Sequence, residues 1–491
     1  MGSAIKDGDA PEQGAGTAPR TAHAHLKGFS NEPWRRLAFN RTILKKYDRP
    51  GPRYTSYPTA NLFNEGFKSA DYEIALRTSD AEAPDRPLSL YVHLPFCGTP
   101  CTFCACNVIW TSRREKDASY VDLVSREMEL VSELLTSGRK VVQLHWGGGT
   151  PTHTPAPVLA RLVDALKANF DFADDVEMGI ELNPREIDPD HLEVLQGCGF
   201  NRASMGVQDL DPKVQAAVHR VQTKDQTKAV LEECRARGFQ SINMDLIYGL
   251  PHQTKESFAR TVGEIARLGP DRIALFNFAY LPQMFRHHQA IKPETLPSPE
   301  TKLDILELAI EGFTKAGYVY IGMDHFARPD DELTRAMRER TLTRNFQGYS
   351  TKLGSDMLAF GVSSISEVGG CYAQNHKALD VYEGRVSNGE IPTERGIKLN
   401  EDDLIRRDVI RRLMCHFVVV KSEIASLYGI DFDDYFAGSL RNLEEMAADD
   451  LVEPGTDRIT IRPPGRLLVR NIAMAFDAHL KPSQGNFSRT V

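Results

Sequence analysis

Four of the chain's eight cysteines crowd into one short stretch, PFCGTPCTFCACN (Pro95–Asn107). They are Cys97, Cys101, Cys104 and Cys106, and the first three have the spacing C-x3-C-x2-C. Three thiolates on one short loop can wrap one corner of an iron–sulfur cluster. A cubane needs four ligands, so this spacing leaves one iron without a cysteine. An open iron is a place where a small molecule can be chelated and activated. Zinc is the alternative, but it wants four ligands. Cys106 stands only two positions from Cys104, which is poor spacing for a fourth ligand to one ion. Cys106 itself reads either as a buried loop thiol or as a residue facing a substrate cavity.

Further residues suit a ligand on that iron. GGGT (Gly147–Thr150) could offer backbone carbonyls to an ammonium group, although glycine turns after strands often serve only to bend the chain. Glu181, Asp245 and Arg220 are ordinary salt-bridge types. On strands facing one cavity, the two acids would suit an ammonium and a ribose, and the arginine a carboxylate. That combination fits S-adenosylmethionine. Tyr91 and His93 immediately precede the cysteine loop, with a satisfied core histidine as the plain reading of His93. MDHFARPDDEL (323–333) and RNFQGYST (344–351) read as loops of ligand-binding character.

These residues need a frame. Short apolar runs alternate with amphipathic helical patterns from Leu88 onward. The strands expected are LSLYVHL (88–94), VVQLHW (141–146), MGIEL (178–182), RASMGV (202–207), INMDLI (242–247) and RIALFNF (272–278), with YVYIGMDHF (318–326) as a later one. Helices are expected over Asp117–Leu135, Ala156–Phe170, Lys224–Arg237, Lys255–Leu268 and Thr301–Lys315. This rhythm is that of βα units on a parallel sheet. It predicts an α/β fold with a full or partial β/α barrel, and a flat doubly wound sheet as the runner-up. Parallel strands carry chemistry at their carboxyl ends. The pattern puts the cysteine loop, GGGTPT, Glu181, Asn183, Gln208, Asp245, Asn277 and Ala279 at that one rim.

The rest of the chain frames this body. Residues 1–38 read as a disordered leader, with an organelle transit peptide as the alternative. Residues 39–84 form an N-terminal arm and helix. KKYDRPGPRYTSYPTA (45–60) is too rich in Tyr and Arg for a slack linker, and a helical pattern resumes near Ser69–Arg77. The barrel domain is expected over 85–390. Residues 391–491 form a mostly helical unit with a hairpin at 451–461, resembling a winged helix, and an amphipathic tail helix at 466–480. Its many acids argue for a cap or lid over a DNA-binding role.

Net charge is −8, hydrophobic residues are 41% and charged residues 26%. This composition gives no electrostatic case for nucleic acid. No run of apolar residues is long enough for a membrane span. Cys198, Cys234, Cys371 and Cys415 are scattered and read as inert buried thiols, so the eight cysteines imply a reducing cytoplasm rather than a disulfide framework. Monomer is the default, since no segment is dominantly apolar and exposed.

The three-cysteine loop followed by GGGTPT resembles the radical S-adenosylmethionine superfamily. GPRYTSYPTA (51–60), YVHLPFC (91–97), Cys106, LHWGGGTPT (144–152), SMGVQD (204–209), DLIYGLP (245–251), MDHFARPDDEL, RNFQGY (344–349) and GRLLVRN (465–471) resemble one branch of it, the oxygen-independent coproporphyrinogen III oxidases. Relatives in that superfamily, such as haem-inserting chaperones and methyl-transferring enzymes, commonly lack Cys106 and the arm motif.

The resemblance implies a (β/α)6-type partial barrel in which Cys97, Cys101 and Cys104 hold a [4Fe–4S] cluster. It implies two S-adenosylmethionine molecules, contacted by Tyr91, Phe103, Gly148, Gly149, Thr150, Glu181, Gln208, Arg220, Asp245, Ala279 and Ile365. Tyr91, His93, Cys106, Phe346 and Gln347 are the catalytic positions expected. The implied reaction starts when the reduced cluster cleaves S-adenosylmethionine to a 5′-deoxyadenosyl radical. The radical takes a hydrogen from the β-carbon of a propionate, and loss of CO2 and an electron leaves a vinyl group. Two propionates of coproporphyrinogen III react, giving protoporphyrinogen IX for haem biosynthesis, with an unidentified reductase as electron donor. Arg53 and Arg328 are expected partners for substrate carboxylates. The competing readings are a haem-binding chaperone, a radical methyltransferase and a non-enzymatic protein with a structural cluster.

Overall fold

A computed structural model describes residues 37–480 and 487–490. Most of the expected leader, and the transit-peptide alternative, lie outside the described residues. Six parallel strands form the centre: β1 (Leu88–Leu94), β2 (Lys140–Gly148), β3 (Asp171–Leu182), β4 (Arg202–Gln208), β5 (Ser241–Tyr248) and β6 (Arg272–Asn277). They lie side by side in chain order. Helices Glu115–Ser132, Ala156–Asn169, Pro189–Cys198, Lys224–Ala236 and Lys255–Leu268 fill the crossovers, and Pro299–Lys315 follows β6. Local signals set their ends. For example, the Thr254 side chain accepts from Ser257 N at the start of Lys255–Leu268, and Gly269, at φ +64°, stops it.

The strands alternate in polarity, which is unusual for parallel strands. One set is apolar and buried under the helices: Leu144 and Trp146, Met178 and Ile180, Met205 and Val207, Met244 and Leu246, Ile273 and Leu275. Each such side chain contributes roughly 1.5–3 kcal/mol on burial. The other set, at the intervening positions of β2 to β6, lines a single cavity. Five consecutive strands facing one cavity make this a curved, partial (β/α)6 barrel and not a flat sheet.

The sheet continues at both edges. Asp356–Phe360 pairs parallel with β1. Ile365–Val368, Cys371–Asn375 and Thr393–Lys398 follow antiparallel. The sheet therefore runs to Lys398, past the expected boundary at 390. Beyond β6 the expected strand at 318–326 is instead a hairpin. His325–Ala327 runs antiparallel to β6 and to Val319–Gly322. The chain reverses through Gly322 and Met323, at φ +149° and +50°.

The C-terminal unit has helices Glu401–His416 and Lys421–Tyr428 beside a three-stranded sheet of Val418–Val420, Arg458–Ile461 and Val452–Pro454, as a winged-helix resemblance requires. The tail is not one amphipathic helix. It is a short α-helix, Val469–Ala473, between the 3-10 turns Pro463–Leu468 and Met474–Phe476. Its polar residues turn inward to hold the arm. Arg470 Nε donates to the Pro52 carbonyl at 2.9 Å, and Asn471 Nδ2 to the Tyr47 carbonyl at 2.8 Å. Tyr54 Oη donates to Asp477 at 2.9 Å. The arm is ordered on the body, with Tyr54 and Tyr57 buried.

Candidate active site

The cavity has a volume of about 460 Å³. Its mouth is the cysteine loop. Phe96–Cys97 pairs with Ile109–Trp110, so the loop closes on itself. Thr111 N donates to the Cys97 carbonyl at 3.0 Å, and Thr102 N to the Val218 carbonyl at 3.2 Å. Cys97, Cys101, Cys104 and Cys106 all line the cavity, as does Phe103 between them. Cys106 is exposed to that space, which favours the cavity-facing reading over the buried thiol.

The donor set around the loop fits an anionic cluster. Arg185 Nη2 and Arg220 Nη1 lie 3.5 and 3.6 Å from Cys101 Sγ, and Thr150 Oγ1 lies 3.4 Å from Cys97 Sγ. Guanidiniums beside thiolates stabilise their negative charge. Among the described residues no three His, Cys, Asp or Glu side chains gather as they would about a single metal ion.

The glycines after β2 are there because neighbours leave no room. A Cβ on Gly147 would sit 2.8 Å from Glu181 Oε1, and one on Gly149 would sit 2.6 Å from the Pro95 backbone. Gly148 adopts φ +114°, and a Cβ there would come 2.6 Å from the His93 ring. The close approach lets Gly148 N donate to Glu181 Oε2 at 3.2 Å. Glu181 also faces His145, whose Nε2 lies 3.7 Å from Oε1. Burial raises the Glu181 pKa, but His145 and Gly148 N outweigh it and hold the carboxyl below its usual range.

Asp245 behaves oppositely. Burial, with the nearby Glu181 charge, pushes its pKa up to about 6, although Asn243 Nδ2 and Ser204 Oγ donate to it at 2.7 and 3.1 Å. Each of its oxygens accepts a hydrogen bond, but among the described residues no cation forms an ion pair with it. Arg220 is the counterpart. Its Nη2 donates to the Gly206 carbonyl at 2.5 Å and to Asn183 Oδ1 at 3.3 Å, while its Nε is buried without a partner. Burial lowers its pKa. Gln208 Oε1 and Asn243 Oδ1 are likewise buried and unpartnered. A buried acid with no cation, a guanidinium with an unpartnered Nε–H and two unpartnered amide oxygens in one cavity fit an amino acid joined to a nucleoside.

Of the expected residues, the four cysteines, Phe103, Gly148, Gly149, Thr150, Glu181, Gln208, Arg220, Asp245 and Gln347 share this lining. Tyr91, His93, Ala279, Phe346 and Ile365 stand outside it. Tyr91 stacks on His145, which does line the cavity, with ring centroids 6.2 Å apart. His93 is satisfied on both nitrogens, by Tyr91 Oη at 3.1 Å and the Asn107 carbonyl at 2.9 Å. Burial lowers its pKa, so it is a neutral strut behind the glycines. Phe346 and Ile365 pack at the cluster of Phe63, Tyr372 and Leu399. Arg53 is paired with Asp324, and Arg328 lies 3.7 Å from Asp330; neither lines the cavity.

Sequence reading missed Gln143, His145, Ser204, Asn243, Arg202 and Arg272, all in the lining. The signal was present as polar residues at every second position of otherwise apolar strands. It marks a strand face turned to a polar interior.

A parallel, partial barrel with a three-cysteine loop after its first strand defines a radical S-adenosylmethionine domain. The sequence model of the Radical SAM superfamily matches residues 91–265. An oxygen-independent coproporphyrinogen III oxidase of Escherichia coli strain K12 is 48% identical over 451 residues, spanning 91% of this chain and 98% of that protein. One of Pseudomonas aeruginosa is 45% identical over 458 residues, spanning 93% and 99%. A solved structure of the Escherichia coli coproporphyrinogen III oxidase, described as a radical SAM enzyme, matches with TM-score 0.87 and 47% identity over 91% of this chain and all of that one. The chain belongs to the oxygen-independent coproporphyrinogen III oxidase family, radical enzymes with a [4Fe–4S] cluster and S-adenosylmethionine. Among the described residues no helix is long and apolar enough to cross a membrane.

Proposed function

We propose that this chain decarboxylates two propionate side chains of coproporphyrinogen III to vinyl groups without oxygen, giving protoporphyrinogen IX. The observation that carries this reading is the one cavity that gathers the cysteine loop, Cys106, Glu181, Asp245 and Arg220. Family membership and the presence of both Cys106 and the arm motif favour the oxidase over a haem-binding chaperone or a methyltransferase.

Cys97, Cys101 and Cys104 hold the cluster and leave one iron open. When bound, the cluster and S-adenosylmethionine together supply the electron and the 5′-deoxyadenosyl radical that takes a hydrogen from the propionate β-carbon. The chain's part is to bind, orient and exclude. Arg220 would offer its buried, unpartnered Nε–H to a carboxylate. Glu181, held by Gly148 N and His145, and Asp245 accept from ammonium or hydroxyl donors. Phe103, in the lining, would pack against the nucleoside, and Cys106 would face the substrate side of the same cavity. Gln347, in the lining, would border the second S-adenosylmethionine and substrate, while Tyr91, Ala279, Phe346 and Ile365, outside the lining, carry a cofactor role only through the family resemblance. The protein works as a cytoplasmic monomer supplied with electrons by a reductase.

A label-transfer experiment tests this. Substrate deuterated at the propionate β-carbons is given to the reduced, cluster-loaded protein with S-adenosylmethionine under anaerobic conditions. Deuterium in 5′-deoxyadenosine together with vinyl product is expected. Unlabelled 5′-deoxyadenosine, or cleavage with no vinyl product, refutes the proposal.

A further inference from the structure

The wall built by β6 and the hairpins beyond it carries a row of aromatic side chains outside the cofactor-facing set. Phe276, His325 and Tyr349 all line the cavity. They meet edge to face in sequence, with Phe276 and His325 centroids 5.9 Å apart and His325 and Tyr349 centroids 5.3 Å apart. A guanidinium closes each end of the row. Arg53 stands 5.9 Å from the Phe276 centroid, and Arg344 stands 4.8 Å from the Tyr349 centroid.

The two ends differ in charge. Arg53 is neutralised by its ion pair with Asp324. Arg344 has Nε and Nη1 buried with no partner, and among the described residues no carboxylate pairs with it. His325 adds no second cation beside Arg344, because burial and the Arg344 guanidinium hold its pKa down. Arg470 lies in the same field and adds a further cation, repelled by both Arg53 and Arg344. A buried guanidinium without an anion is costly. Arg344 sits on the hairpin Thr343–Ser350, whose Gln347, Tyr349 and Ser350 line the cavity; Arg344 itself is half-buried and stands outside that lining, against the Tyr349 ring. An apolar aromatic strip ending in an unmatched guanidinium suits a ligand with flat rings and peripheral carboxylates.

We propose that this strip seats the pyrrole rings of the substrate and that Arg344 binds one of the propionates that survive the reaction. The assignment rests on the decarboxylation reading above. It makes Arg344 a residue for substrate grip and orientation, on the same hairpin whose Gln347 would border the second S-adenosylmethionine.

Steady-state turnover of coproporphyrinogen III by the cluster-loaded protein tests it, with Arg344→Gln and Arg344→Lys beside the wild type. Loss of one charge-assisted hydrogen bond predicts a KM raised about tenfold or more in Arg344→Gln. The change in kcat should be smaller, and Arg344→Lys should recover most of the loss. Melting temperatures and cluster absorbance of both variants report folding. A KM within about twofold of wild type in Arg344→Gln, while the wild type makes vinyl product, overturns this proposal alone. Equal losses in both variants, tracking lowered melting temperatures, also overturn it by marking Arg344 as structural. A wild type that makes no vinyl product overturns the reaction itself, and this proposal with it.

Discussion

Asp245 makes the pH dependence of S-adenosylmethionine binding calculable. In the free cavity its carboxyl sits at about 6 instead of 3.8, because it is buried and faces the Glu181 charge. A ligand that brings an ammonium or hydroxyl to it favours the anion, so binding drives the proton off. Affinity must then rise with pH through the window between those two values. If the bound form returns to the ordinary value, the wild-type affinity at pH 5.5 is about fourfold weaker than at pH 8, and at pH 5 about tenfold weaker. Glu181, held below its usual range, stays ionised throughout and does not add to this slope. The Asp245→Asn variant has no proton to lose there. Its affinity should be weaker overall, and the Asp245 part of the slope should be gone. Equilibrium dialysis of labelled S-adenosylmethionine against the cluster-loaded protein, at several pH values, measures both. A wild-type affinity that is flat or falls with rising pH refutes the reasoning, as does an Asp245→Asn slope equal to that of wild type.

Two further outcomes concern the frame. Glu127 is buried and accepts from Tyr382 Oη at 2.6 Å, Gly361 N at 2.8 Å and Asn375 Nδ2 at 2.6 Å. Glu127→Ala strands Tyr382 Oη and Gly361 N, while Asn375 Nδ2 keeps the Gly361 carbonyl and Ser364 Oγ, and should cost about 3–5 kcal/mol in denaturant unfolding. Burial lifts this carboxyl from 4.5 to about 7, so the folded state keeps a proton that the unfolded chain releases. Stability should fall by up to ~3 kcal/mol as pH rises through that window, and Glu127→Gln should remove this component. Gly148→Ala forces a Cβ against His93 at a φ that favours glycine. It should cost about 1–3 kcal/mol of stability and weaken S-adenosylmethionine binding by about tenfold or more through Glu181, as calorimetry and dialysis can check.

The parallel strands were legible because each is a short apolar run at a βα interval, and the rim residues follow from strand direction alone. Reading stopped where local signals conflict with long-range partners. The stretch 318–326 looks like one strand because its turn falls on Gly322 and Met323, amid residues that otherwise favour extension. The tail 466–480 has helical periodicity, yet Arg470 and Asn471 are buried by bonds to an arm more than four hundred residues away in sequence. No local pattern encodes such a contact. Within the site, the cysteine loop was readable from spacing because its ligands are contiguous. His145 and Asn243 were not singled out, since the alternation of Gln143 with His145 and of Asn243 with Asp245 has no ligand to point to until the curvature of the sheet shows what that face lines. His93 was legible in both of its readings, and its two hydrogen bonds are those of a satisfied core histidine.

The central claim is that one cavity, closed at its mouth by Cys97, Cys101 and Cys104, carries out the oxidative loss of two carboxyl groups. The most direct measurement is mass analysis of the porphyrin products after anaerobic turnover of coproporphyrinogen III with reductant and S-adenosylmethionine, for wild type and Cys97→Ala. The account predicts the divinyl product, protoporphyrinogen IX, from cluster-loaded wild type, and neither cluster nor product from Cys97→Ala. Intact substrate recovered from a wild type with a full cluster and cleaved S-adenosylmethionine would contradict it.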